Sequence, residues 1–116
     1  MPGRSSSFAE VRFIDRDKVI ADLRQAAADA KSVYPEIRKV FLFGSLAQGN
    51  WTADSDADLI VVVAREFTDI LDRSRYQIHT KTIPTDTLVY SESEFRVLAA
   101  DPQSFVGRTL PSALEL

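Results

Sequence analysis

At 116 residues the chain suits one domain and leaves no room for two, with about two-thirds of its unfolded surface available for burial. A composition of 45% hydrophobic and 27% charged residues is that of a soluble globular protein. The lack of cysteine and the single histidine, His79, exclude disulfides, thiolate zinc sites and His-rich metal centres, and disfavour a Ser-His-Asp triad. The net charge of −3 argues against broad binding of polymer nucleic acid, and the metal chemistry that remains uses oxygen ligands suited to Mg2+, Mn2+ or Ca2+.

Met1 to Ser7 is small and polar without an apolar signal region, and no apolar run approaches a membrane span, so the expectation is a cytoplasmic protein without membrane contact. Residues 1–16 read as an N-terminal extension and 17–116 as the domain. From about Asp17 to Tyr34, Ile20, Leu23, Ala27, Ala30 and Val33 recur at helical spacing, with Asp15 or Asp17 as N-cap and Pro35 as the stop. Lys39 to Phe43 reads as a short buried strand ending at Gly44. Ser45 to Gln48 allows one helical turn, closed by Gly49. Asn50 to Ser55 is a polar loop around Trp51, which either stacks on a base or packs locally.

Ala57 to Ala64 carries the strongest strand signal, apolar on both faces beyond Asp58 as in a central strand covered on each side. A helix is expected from about Glu66 to His79, with Phe67, Ile70, Leu71 and Ile78 available for burial and His79 at the surface. A third strand, Asp86 to Tyr90, follows Pro84 and Thr85. Ser91-Glu92-Ser93-Glu94 has capping-box spacing for a helix to about Ala100, and a last short helix spans Ser104 to Leu110. The order of elements is that of a small α/β architecture.

Chemistry concentrates between Phe41 and Val61. Asp56 and Asp58 are two apart and so share a strand face, where their charges repel unless a cation lies between them. Mg2+ held by one or two carboxylates keeps positions open for phosphate oxygens. Gly44-Ser45, where a strand runs into a helix start, presents backbone amides suited to phosphate, although neither a Walker loop nor a dinucleotide fingerprint is present. If the third strand lies beside the second, Asp86 faces Asp56 and Asp58. Three carboxylates can hold two metals about 3.5–4 Å apart, and Asp86 can also accept the proton of an attacking hydroxyl.

In these residues the chain resembles the minimal nucleotidyltransferases of the DNA polymerase beta superfamily, in which Gly-Ser precedes Asp-x-Asp by about ten residues. The context of the third carboxylate is also similar, and the resemblance runs from about Asp17 to Leu110. It implies an α/β nucleotidyltransferase fold with a short mixed sheet of three or more strands flanked by helices. It also implies metal ligation by Asp56, Asp58 and Asp86, and nucleotide binding by Gly44 and Ser45. The implied reaction is Mg2+-dependent transfer of a nucleoside monophosphate, AMP from ATP foremost, to an acceptor hydroxyl. Small stand-alone relatives act as antitoxins beside HEPN-type toxins, which implies a partner-protein acceptor; a second copy is the other source of a complete site. A binding module acting by contact and a small-molecule, aminoglycoside-like transferase are the alternatives. Many relatives carry arginine just after Gly-Ser where this chain has Leu46 and Gln48, so positive charge for the triphosphate is expected from the metals, or from residues such as Arg65 or Lys81.

Overall fold

The computed structural model describes residues 15–49 and 56–116. The loop around Trp51 and the segment before Asp15 lie outside the described residues. Helix α1 (Arg16–Val33) starts at Asp15, whose carboxylate accepts the Asp17 N–H at 2.9 Å. Its buried stripe is Val19, Ile20, Leu23 and Ala27; Val33, expected on that stripe, is exposed at the helix end. Strands β1 (Ile37–Phe43), β2 (Ala57–Val63), β3 (Thr85–Ser91) and β4 (Leu114–Glu115) form one mixed sheet in the order β3-β2-β1-β4. β2 runs parallel to β3, while β1 is antiparallel to both β2 and β4.

The alternation of side chains divides the core into two layers. On one face Val40, Leu42, Leu59, Val61, Val63 and Val89 pack with the buried stripe of α1. On the other, Phe41, Phe43, Ile60 and Val62 pack with Val106 and, less deeply, Phe95 and Leu98. These last belong to α3 (Glu92–Ala100) and α4 (Phe105–Thr109), introduced after the one-turn α2 (Ser45–Gln48). β2 is therefore sandwiched, which accounts for its unbroken apolar run.

The expected helix from Glu66 to His79 is not formed. A 3₁₀ segment spans Ile70–Tyr76, started by Asp69, whose side chain accepts the Leu71 N–H. Ile70 and Leu71 point to solvent, and the buried anchor is instead Tyr76, ringed edge-on by Tyr34 and Phe67 and donating its hydroxyl to Glu36 at 2.7 Å. Arg73 leaves the segment to make paired bonds of 2.8 and 2.7 Å with Glu94, while its face covers Phe67. These tertiary contacts outweigh a weak helical periodicity. Glu94 also completes the capping box with Ser91 that starts α3. The last expected helix, Ser104 to Leu110, forms as α4 with Ser104 and Leu110 as its caps, and a 3₁₀ turn, Leu110–Ser112, entered through Pro111, follows it.

Candidate active site

β1 delivers the chain to Gly44, whose φ of 82° and ψ of −158° lie in a region that glycine alone occupies readily. A Cβ here would stand 2.7 Å from Asp58 Oδ2, so the absent side chain is also what lets the strand end approach the carboxylate. Helix α2 follows at once. Its ladder begins with the Gln48 N–H on the Gly44 carbonyl at 3.1 Å, leaving the amides at the start of the turn outside the helical pairing. Gly49 closes the turn in the left-handed region, as expected, and Leu46 is fully buried beneath it. Of the two non-basic positions that follow Gly44-Ser45, Leu46 is buried and Gln48 is exposed.

Arg16 was placed in the N-terminal extension by the sequence, yet it braces this turn. Its guanidinium donates to the carbonyls of Leu46 (2.9 Å) and Ala47 (3.0 Å), thirty or more positions along the chain. A contact so distant leaves no local sequence signal.

Register assembles the rest. Phe43, Asp58 and Asp86 are direct neighbours across β1, β2 and β3, so the two carboxylates share one face and one end of the sheet. Their strands lie about 4.8 Å apart. Asp56 precedes the start of β2, and its charge reaches Asp58. Burial first, then the charges of Asp86 and Asp56, push the Asp58 carboxyl above its ordinary range. Among the described residues no lysine or arginine counters that shift, and no three His, Cys, Asp or Glu side chains converge as a ready metal cage. The Asp58–Asp86 pair nevertheless fits a hard divalent ion, which needs only one or two carboxylates and takes its other ligands from phosphate and water.

Arg65 does not serve this site. It follows the opposite end of β2, roughly 20 Å away along the strand, and is engaged by Asp72 at 2.9 Å and Tyr76 at 3.2 Å. Lys81 is exposed in the segment leading to β3, beside His79, which is also exposed as expected. Phe105, not singled out from the sequence, packs edge-on against Phe43 (5.3 Å) while remaining 43% exposed, so an aromatic surface borders the carboxylate row. A groove of 620 Å³ lined by Arg73, Tyr90, Ser93, Glu94, Val97 and Leu98 lies farther along α3, away from the carboxylates.

Three comparisons bear on the family of this chain. The nucleotidyltransferase domain family matches residues 23–106. A candidate protein adenylyltransferase of Methanocaldococcus jannaschii is 32% identical over 59 residues, or 51% of this chain and 59% of that relative, so the match spans less than two-thirds of the relative's length. The crystal structure of a candidate nucleotidyltransferase from Sulfolobus solfataricus superposes with a TM-score of 0.52 at 26% identity, covering 67% of this chain and 74% of the other. No helix among the described residues is long and apolar enough to cross a membrane. With the matching region taking in both carboxylates, the glycine turn and the sheet that joins them, the chain belongs to the nucleotidyltransferase domain family.

Proposed function

We propose that the protein transfers a nucleoside monophosphate, AMP from ATP, onto a hydroxyl of a partner protein, using Mg2+ held by Asp58 and Asp86 with Asp56. The observation that carries this reading is the placement of Asp58 and Asp86 as register neighbours, with Gly44 against Asp58. The acceptor oxygen attacks the α-phosphorus, the bond from that phosphorus to the bridging oxygen breaks, and pyrophosphate leaves. Asp86, exposed on an edge strand, is open to an approaching acceptor and takes the hydroxyl proton. The metal supplies charge neutralisation for the phosphates. The α2 turn, with Gly44 and Ser45, receives the triphosphate, and Phe105 offers an apolar surface near the base.

A protein acceptor is supported by the name of the Methanocaldococcus relative and by the resemblance to antitoxins that act beside HEPN-type toxins. The test is label transfer from α-labelled ATP with Mg2+, in extract containing candidate partners. Asp58→Asn lowers transfer by about 100-fold or more while the protein stays folded; full activity in that variant refutes the reading. A contact-only binding module is favoured by one observation, the lack of a described cation beside Asp58. Under that second reading Asp56→Asn/Asp58→Asn still protects cells from the partner toxin.

A further inference from the structure

At the end of the sheet remote from the carboxylates, three cations gather around a groove of 310 Å³ lined by Arg38, Lys39, Arg96 and Glu92 above Val62, Phe95 and Ala99. We propose that this groove docks an acidic segment of a partner protein, one that carries an apolar side chain between its carboxylates. The inference is independent of the transferase reading.

Strand geometry shows that the gathering is built. Successive strand residues normally point to opposite faces. Here the β1–β2 register shifts between Ile37 and Lys39, so Ile37 pairs with Val63 and Lys39 with Val62. The extra residue, Arg38, sits in a bulge, a device that re-aims a side chain. Arg38 and Lys39 therefore both line the one groove, and α3 brings Arg96 to it from the other side.

The charges are also unspent. Arg16, Arg24, Arg65, Arg73, Arg75 and Arg108 each have a carbonyl, hydroxyl or carboxylate partner, whereas Arg38, Lys39 and Arg96 have no hydrogen bond or ion pair with any described residue. All three are exposed, in a chain whose net charge is −3. Local cations in an acidic protein favour an anionic partner. The floor adds a second requirement: Val62 is buried, and Phe95, stacked on Phe41 at 5.6 Å, is only half-buried, leaving apolar surface to cover.

Glu92 selects among anions. It stands in the rim with the three cations, where it accepts hydrogen bonds from the amides of a peptide, donors that a phosphate backbone lacks. An acidic peptide with an apolar residue satisfies cations, carboxylate and floor together; a nucleic acid satisfies only the first. The groove lies about four strand residues beyond Asp58, roughly 13 Å along β2, so an occupant leaves the carboxylates open.

The test is NMR titration of the 15N-labelled full chain, without nucleotide or metal, with a twelve-residue peptide alternating Glu-Glu and Leu. A Lys-Leu peptide of equal length and a twelve-nucleotide RNA run in parallel. Shifts confined to Arg38, Lys39, Phe95, Arg96 and their neighbours are expected with the acidic peptide, weakened by added salt. Arg38→Gln/Lys39→Gln/Arg96→Gln is expected to reduce affinity by about tenfold or more while the rest of its spectrum stays unchanged. Absence of groove shifts at millimolar acidic peptide, equal affinity in the variant, or tighter groove binding by the RNA would each overturn the proposal.

Discussion

Replacing Gly44 with alanine tests the geometry at the centre of the site. Two costs are built into the position. The backbone, at φ 82° and ψ −158°, is in a region that costs a side-chain-bearing residue about 1–3 kcal/mol. The new Cβ would also fall 2.7 Å from Asp58 Oδ2, forcing that carboxylate to shift. At roughly 4 °C per kcal/mol for a domain of this size, the backbone term alone lowers Tm by roughly 4–12 °C. Gly49→Ala is the comparator: its φ of 87° is similarly left-handed, but nothing lies within 4 Å of the added Cβ, so it weakens the fold without disturbing Asp58. Thermal melts of both variants, and of Gly44→Ala in an Asp58→Ala background, separate the terms. With the carboxylate gone the contact cost vanishes, giving a coupling of about 0.5–3 kcal/mol between the two sites. A Tm loss under about 2 °C, or equal losses in both backgrounds, would refute the reasoning.

Two further outcomes follow from the electrostatics. A raised Asp58 pKa means that its ionised form opposes folding above that pKa, so Asp58→Asn in EDTA is expected to melt higher than wild type at neutral pH; millimolar Mg2+ should then stabilise wild type and leave the variant unmoved, and equal shifts in both would count against metal binding there. Hydrogen bonds from Arg73 hold the Glu94 carboxyl near about 2 instead of 4.5, a stabilisation present above 4.5 and lost as pH falls toward 2. Glu94→Gln should therefore cost about 1 kcal/mol at pH 7, a figure already discounted for the pair's exposure to solvent. The gap should close below pH 4.5, and urea melts across that range showing a constant gap would contradict this account.

Much of the architecture was legible from local pattern. The periodicity of α1, the closure of α2 by Gly49, the two-sided apolar run of β2 and the Ser91–Glu94 capping box are interactions within a few residues, and each formed as expected. The segment from Glu66 to His79 was misread for the opposite reason. Its conformation is set by partners far along the chain, Glu36 for Tyr76 and Glu94 for Arg73, so its own periodicity carried little weight. Arg65 was misassigned because sequence proximity to Asp58 conceals that a strand separates them by its full length.

The candidate site divides along the same line. Composition alone removed thiolate and His-rich metal sites, and the spacing of Asp56 and Asp58 near a glycine turn pointed to a carboxylate pair beside a phosphate-binding turn. Whether Asp86 belonged with them was conditional on β3 lying beside β2. Parallel pairing in the register Asp58 to Asp86 sets Asp86 beside Asp58, with both strands packed between α1 on one face and α3 on the other. Local spacing sets which side chains can share a face; only pairing between strands distant in sequence sets which of those faces meet. The bulge that gathers Arg38 with Lys39 and the long-range bond from Arg16 to the α2 turn are likewise products of pairing, and so could be seen only once the sheet was assembled.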